Sequence, residues 1–474
     1  MSKIFDIANN KEKCQKFTPT EMVTTMLDLI GYSTDLMGKK VLENSFGSGN
    51  ILIAIVRRYI EDCISHKTPL EQIAERLSED IIGIEYDKKQ FRKCQKALNK
   101  IAVEYDLPPV KWNIHNADAL EWQYDVRFDY IIGNPPYISY TNIDEDSRKM
   151  IRSKFSSCRS GKFDYCYAFI ELGICNLTDT GKMVQLIPSN IFKNVFAEHL
   201  RKMLQPHISV IFEYPAQNIF KSTSTSTSIF LYEKACKSKC VMYKNVTQNT
   251  ECMIRRTKLK GKWIFSNCDS SNENQVRFGD YYNASIAIAT LYNKAFIVSR
   301  EQIDEHKLEE DIIRPAVSPR SLRYKREEYI IFPYLYVNGI LTRISFDDFS
   351  EQYPATELYL QSFRKKLDDR DSDKNANWFE YGRSQALSHL NDCKLLLSTI
   401  ITDNVEVYHL DANTIPYSGI YITQLREDYT LQYAEEILKS KEFMEYVEKV
   451  GIPVSGTSIR ITCKDINNFR FVRR

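Results

Sequence analysis

The stretch Phe128-Asp129-Tyr130-Ile131-Ile132-Gly133-Asn134-Pro135-Pro136-Tyr137 decides the reading of this chain. Its first part is a short β-rich apolar run, the pattern of a strand buried in a sheet. Its second part stops that strand, because each proline fixes φ and removes a backbone donor. The stiff turn sets an Asn side-chain oxygen beside a proline carbonyl, two acceptors in one frame. An amino group on an aromatic ring is a poor nucleophile, its lone pair being delocalised into the ring. A site that alkylates it must hold both N–H groups with acceptors and draw the nitrogen toward tetrahedral geometry. Tyr137, next in line, can lie flat against an unstacked base. The same residues could equally form a plain strand-ending turn over a core, so the surrounding chain has to decide.

Outward from this strand, apolar β-rich runs at 41–46, 81–87, 112–117, 128–133, 183–188, 210–214 and 228–233 alternate with amphipathic segments at 21–30, 51–63, 88–103 and 165–177. That alternation predicts βαβ units and a doubly wound, mostly parallel seven-stranded sheet, an α/β fold. Ligands in such sheets bind at the C-terminal ends of the strands, near the point where strand order reverses.

Four polar motifs fall there. Glu43-Asn44-Ser45-Phe46-Gly47-Ser48-Gly49-Asn50 runs from a strand through a Gly-rich turn into a helix, where Gly47 and Gly49 would let backbone pass close to a ligand. It lacks the third glycine of a dinucleotide fingerprint and the Gly-Lys-Ser/Thr of a phosphate-binding P-loop; a bare strand–helix turn would look similar. Glu85, at the tip of the second strand, is placed to accept both hydroxyls of a ribose. Asp118, in Asn116-Ala117-Asp118-Ala119, could accept from an adenine amino group, or be an ordinary turn residue. Asn134–Tyr137 is the fourth. A ribose acid and an adenine acid without a phosphate cradle point to an adenosine that carries no phosphates.

In their order these residues resemble the S-adenosylmethionine-dependent methyltransferases, and among them the gamma-class N6-adenine DNA methyltransferases of Taq type. Phe17-Thr18-Pro19 precedes the Gly-rich turn as the family's N-terminal cofactor segment does; Asp164-Tyr165, Ala168-Phe169-Ile170-Glu171 and Pro188-Ser189-Asn190 follow where later motifs belong, and the likeness covers roughly residues 14–235. The turn departs from the family's common Asp-Pro opening, having Glu43 and no proline. The resemblance implies that Phe17, Thr18, Pro19, Glu43, Gly47, Gly49, Glu85, Asp118, Asn134 and Phe169 bind S-adenosylmethionine. It implies that Asn134, Pro135, Pro136 and Tyr137 form the catalytic turn, and that Phe220 joins Tyr137 in stacking on the target base.

At 474 residues the chain should divide in two: a catalytic domain over 1–240, a polar linker near 235–252, and a mixed α+β domain over 250–474. Basic residues interleaved with aromatics, Arg255, Arg256 and Lys258 before Trp263 and Arg320 and Arg323 beside Tyr324, suit phosphate contacts or a solvated face. The later half resembles the Taq-type target-recognition domain, with Arg383 inside Trp378-Phe379-Glu380-Tyr381-Gly382-Arg383-Ser384. The composition, 43% hydrophobic and 27% charged with net charge +2, is that of a soluble globular protein. No membrane-length apolar run or signal core appears, so a cytoplasmic, nucleoid-associated location is expected. Twelve cysteines lack paired spacing, and Cys236, Cys240, Cys252 and Cys268 match no zinc pattern; no metal is expected.

The resemblance therefore predicts an enzyme of restriction–modification type that methylates N6 of an adenine flipped out of double-stranded DNA, working as a monomer. About sixteen residues precede Phe17, too few for a nuclease domain, so a cognate endonuclease would be a separate protein rather than a fused one. RNA or protein-glutamine methylation could use the same turn, since those amino groups pose the same problem; a catalytically idle DNA-binding subunit is a further alternative.

Overall fold

A computed structural model describes residues 18–214, 226–265, 274–338, 340–384, 386–387, 389–455 and 457–473. The chain divides into two units, Met1–Cys268 with Pro453–Gly456, and Asp269–Ile452 with Thr457–Arg474.

The first unit is built on one large sheet. Its strands are β1 (Val41–Glu43), β2 (Ile81–Ile84), β3 (Asn113–His115), β4 (Phe128–Gly133), β5 (Leu177–Pro188), β6 (Ile208–Tyr214), β7 (Thr227–Glu233), β8 (Cys240–Asn245) and β9 (Thr250–Arg255), in the spatial order β3-β2-β1-β4-β5-β7-β6-β8-β9. The first five strands run parallel. β7 is antiparallel to both β5 and β6. From β1 the chain steps outward through β2 to β3, then returns to lay β4 on the other side of β1. That reversal creates the crevice in which doubly wound sheets hold ligands.

Helices α1 (Thr20–Ile30), α2 (Asn50–Ser65), α3 (Leu70–Asp80), α4 (Lys88–Glu104), α5 (Glu145–Lys154), α6 (Cys166–Asn176) and α7 (Glu198–Leu204) cover both faces. One face packs Leu42, Ile131, Met183 and Phe230 against Ile151 and Ile170. The other packs Val41, Ile132, Val184 and Leu186 against Met26, Ile55 and Leu98. Successive strand residues point to opposite faces and both faces are buried, which is why β4 is apolar on both faces from Tyr130 to Gly133.

Three features differ from the sequence expectation. α3 was not foreseen, because its buried residues Ile73, Ala74 and Leu77 sit among Glu71, Glu75, Arg76, Glu79 and Asp80 and leave a weak apolar stripe. β5 starts at Leu177, where α6 hands over directly to the strand. The expected division at 240–250 falls inside the sheet. β8 pairs parallel with β6 and antiparallel with β9, and Trp263 is buried in the same core. Polar composition suggested a linker there, but β8 alternates buried and half-buried residues, as a strand buried on one face does.

The second unit is mixed α+β. One four-stranded antiparallel sheet joins Tyr282–Ile286, Ile420–Gln424, Lys394–Leu397 and Val407–Leu410, and a mixed four-stranded sheet joins Ile297–Val298, Glu328–Ile331, Ile313–Val317 and Ile415–Pro416, the last pair running parallel. Short helices pack against them. Among the described residues no helix is long and apolar enough to cross a membrane.

Candidate active site

Four strand ends deliver the polar residues. Glu43 closes β1, Glu85 follows β2, Asp118 follows β3 and Asn134 follows β4. The Gly-rich turn takes backbone angles that only glycine adopts without strain, with φ +54° at Gly47 and +98° at Gly49. A side chain at Gly49 would also start 2.5 Å from Cys94 Sγ on α4, so this turn lies tight against the helix that follows β2.

Glu85 ties the first two strand ends together. Its Oε2 accepts from the Gly47 N–H at 2.8 Å and its Oε1 from the Asp87 N–H at 2.7 Å. Burial pushes the Glu85 carboxyl above the usual carboxylate range, against the pull of those two hydrogen bonds. Glu43 is more extreme. It is 1% exposed, and its Oε2 has no hydrogen-bond partner among the described residues. Burial first, and the charge of Glu85 second, raise it well above its ordinary value. A buried carboxyl with a vacant acceptor is costly unless something cationic completes it.

Thr18 joins three pieces of the site. It is buried, its carbonyl accepts from Asn50 Nδ2 at 3.1 Å, and its Oγ1 accepts from Asn134 Nδ2 at 3.1 Å. Ser45 Oγ in the Gly-rich turn donates to the Asn134 carbonyl at 3.3 Å. The N-terminal segment, the Gly-rich turn and the Asn-Pro-Pro-Tyr turn are thus stitched directly together. Tyr137 is half-buried, and its hydroxyl donates to the Leu186 carbonyl on β5 at 2.8 Å. That bond fixes the ring on the β5 side of the turn. Phe17 and Phe220 lie outside the described residues.

Asp118 begins its turn as a cap, with Oδ1 accepting from the Leu120 N–H at 2.8 Å. Burial raises its carboxyl. Asn116 Nδ2 donates to the carbonyls of Glu85 and Tyr86, each at 2.8 Å, which pins the β3 end to the β2 end. Burial first, and the charge of Asp118 second, raise the hydroxyls of Tyr86 and Tyr165. Tyr86 is 47% exposed, while Phe169 is 4% exposed with its ring centroid 5.4 Å from that of Tyr165. Tyr86 is therefore the more exposed ring at this end of the crevice, and Phe169 is mainly core. Tyr86 was visible in sequence only as the neighbour of Glu85.

Sequence reasoning also missed two amides. Gln185 pairs in register with Gly133 and is fully buried, and the side chain of Asn44 reaches within 3.7 Å of where a Gly133 Cβ would stand. Neither amide has a hydrogen-bond partner among the described residues, so polar capacity lies directly under the Asn-Pro-Pro-Tyr turn. Gln185 sits in an apolar run, Met183-Val184-Gln185-Leu186-Ile187, and that interruption was the available signal.

The basic residues separate into two kinds. Arg255, Lys258, Arg320 and Arg323 are exposed. Arg256 instead donates to the Pro206 carbonyl and to Cys236 Sγ, and Arg383 is clamped between Asp371 (2.9 Å) and Asp373 (3.1 Å). Both guanidinium groups are spent within the fold. Among the described residues no group of His, Cys, Asp and Glu could hold a metal ion.

Comparison with known proteins agrees with this frame. Residues 36–220 match the model of the Eco57I restriction-modification methylase family. The Type II methyltransferase M.BstVI of Geobacillus stearothermophilus is 23% identical over 96% of this chain and 89% of its own length. The Type II restriction enzyme and methyltransferase RM.Eco57I of Escherichia coli is 22% identical over 91% of this chain, which spans 54% of that longer protein. The solved Type IIL restriction-modification enzyme MmeI, in complex with DNA, shares the fold with a TM-score of 0.61 at 14% identity, covering 95% of this chain and 64% of its own. Through residues 36–220, which hold all four strand-end residues, the chain is similar to the Eco57I-type restriction-modification methylases.

Proposed function

We propose that this chain is an S-adenosylmethionine-dependent DNA methyltransferase that modifies N6 of an adenine swung out of duplex DNA, as the modification enzyme of a restriction–modification system. One observation carries the reading. The Asn-Pro-Pro-Tyr turn leaves the switch-point strand β4 tied by single hydrogen bonds to Thr18 and Ser45, the residues that also frame the Gly-rich turn.

The donor set suits the cofactor. The vacant acceptor of Glu43 would take an ammonium group. Each Glu85 oxygen accepts one backbone N–H and retains lone-pair capacity for ribose hydroxyls. Asp118 would take the adenine amino group, with Tyr86 along the ring. When bound, the cofactor's sulfonium supplies an already activated methyl group. The protein's own part is positioning. Asn134 Oδ1 and the Pro135 carbonyl accept the two N–H groups of the target and orient its lone pair. Tyr137, its hydroxyl held by Leu186, gives the base a fixed stacking face. Flipping costs a few kcal/mol, and stacking on aromatics returns roughly 1–3 kcal/mol per base. Asn ahead of Pro-Pro favours adenine over cytosine N4 by family likeness. The second unit reads the target sequence through exposed cations such as Arg320 and Arg323. A separate endonuclease, a monomer on DNA and a nucleoid location complete the proposal.

The test supplies tritiated S-adenosylmethionine with unmethylated bacterial genomic DNA, total RNA and a protein extract in parallel. Label recovered from DNA as N6-methyladenine at one short sequence is the expected result. Label confined to RNA or protein, or cofactor binding with no transfer anywhere, overturns it.

A further inference from the structure

Downstream of the catalytic turn, the chain builds a second feature that neither the cofactor nor the base pocket uses. Tyr140 lies three residues beyond Tyr137, hence within about 11 Å of it between Cα atoms. Its ring packs edge-on against buried Phe163 at 5.4 Å. Two arginines from α5 lie over it, with Arg148 Cζ at 4.3 Å and Arg152 Cζ at 5.3 Å from the ring centroid. Backbone bonds hold both. Arg148 Nε donates to the Tyr140 carbonyl at 3.0 Å, and Arg152 Nη2 donates to the Tyr140 hydroxyl at 2.9 Å and the Gly161 carbonyl at 3.1 Å.

Neither arginine forms an ion pair with a described residue, although acids are close by. Asp144 is taken up capping Ser147, Glu145 pairs with Lys149 at 3.1 Å, and Asp164 accepts from the Cys166 N–H. Asp146 is exposed on the first turn of α5. The loop that Arg152 pins at Gly161 carries two more exposed cations, Arg159 and Lys162. Stacked, half-buried guanidinium groups without a carboxylate are pre-organised for a planar fork contact with an oxyanion and lose little freedom in making it.

We propose that Arg148 and Arg152, held on Tyr140, form a phosphate clamp that grips the nucleic-acid backbone beside the nucleotide drawn into the Asn-Pro-Pro-Tyr pocket. The inference rests on the DNA reading above. The clamp makes the backbone on the α5 side a fixed point, so that the target base is held at the turn and does not fall back into the stack. Arg148 and Arg152 are positioning residues: they touch phosphate and act on transfer through the base.

The experiment compares full-length wild-type protein with Arg148→Gln, Arg152→Lys, the double Arg148→Gln/Arg152→Gln, and Lys149→Gln as a charge-matched control on the same helix. Binding to unmethylated genomic DNA fragments is measured across a salt series, with S-adenosylmethionine affinity and melting temperature as checks on folding. Each lost phosphate contact should lower the slope of log K against log salt by about 0.9. Arg148→Gln is expected to do so and to raise the KM for DNA several-fold with cofactor affinity unchanged. Arg152→Lys keeps the charge and loses the fork, so it should raise KM with less change in slope. Lys149→Gln should change neither. A wild-type slope in the double variant, with wild-type methyl transfer to DNA, overturns the clamp and leaves the DNA reading standing. A wild-type protein that neither binds nor methylates DNA overturns both.

Discussion

Asn134→Ala isolates the chemistry from the scaffold, and the structure sets the size of each effect. The side chain has two jobs on this reading. Its Oδ1 accepts from the reacting amino group, and its Nδ2 donates to Thr18 Oγ1 at 3.1 Å. Deleting a polar group aimed at the transition state costs about 2.7–4 kcal/mol, a fall of roughly 10²–10³ in kcat. The bond to Thr18 is neutral and worth about 1 kcal/mol, so the variant should fold and melt only slightly lower. Cofactor affinity should stay within about two-fold, because Glu43 and Glu85 are untouched; a two-fold change is about 0.4 kcal/mol. Thr18→Val removes only the anchor, leaving the amide free to rotate, and should cost about five-fold in kcat, the equivalent of 1 kcal/mol. The double variant should be no worse in kcat than Asn134→Ala alone, since the anchor has nothing left to hold. Single-turnover transfer of tritiated methyl to genomic DNA, with calorimetric cofactor titration, measures all three. Wild-type turnover in Asn134→Ala would falsify the catalytic assignment. Additive losses in the double variant would show that Thr18 does not act through Asn134.

Glu43→Gln should have opposite effects on the free and the cofactor-bound protein. The carboxyl's folded-state pKa is raised, so its contribution to stability is complete below about 4.3 and drains away as pH climbs toward the raised value, the unfolded chain losing its proton first. At neutral pH Gln removes that loss, and the cofactor-free melting temperature should rise while S-adenosylmethionine affinity falls about ten-fold or more; a lower melting temperature at pH 7 refutes the burial argument. Gly49→Ala meets both φ +98° and Cys94 Sγ at 2.5 Å, and should cost about 1–3 kcal/mol. Adding Cys94→Ala should recover only the steric part by thermal melting, and full recovery would mean that the left-handed turn carries no strain. Arg320→Gln/Arg323→Gln should flatten the salt dependence of DNA binding by nearly two contacts, whereas Arg383→Gln, whose charge is already met by Asp371 and Asp373, should leave the slope unchanged; the reverse ranking in a fluorescence titration would reassign the reading surface.

The sheet was legible because burial on two faces writes itself into composition. Runs such as Ile131-Ile132 and Met183-Val184 are apolar at every position, and their strands stop where prolines follow, at Pro135-Pro136 and at Pro188. The strand-tip acids were legible for the same reason, since Glu43 and Glu85 interrupt apolar runs where the chain turns. What stayed hidden depends on pairing rather than pattern. Arg256 and Arg383 look like free cations in sequence, and only their partners Pro206, Asp371 and Asp373 show them to be spent. Phe169 sits at a motif position, yet α6 turns it into the core, and Tyr86 is the more exposed ring. The outer strands β8 and β9 did not stand out from a linker, because a strand buried on one face needs apolar residues only at alternate positions.

The arrangement of charge along the crevice also explains why a phosphate clamp would be placed where it is. Glu43, Glu85 and Asp118 all lie at the tips of β1, β2 and β3, on one side of the switch point, and burial already strains each of them toward its neutral form. A bound cation draws such a set toward its ionised form, so that the set holds a small cationic ligand and then repels a polyanion. A nucleic acid approaching the β4 tip must therefore be drawn from the other side, and the segment that leaves β4 is where Arg148 and Arg152 are held without acidic partners. Local repulsion of this kind decays over about 10 Å at physiological ionic strength, comparable to the span from Tyr137 to Tyr140. Raising salt should thus weaken DNA binding through the arginines and leave binding of the ammonium group proposed to meet Glu43 nearly unaffected. Equal salt slopes for the two ligands would show that the crevice is not polarised in this way.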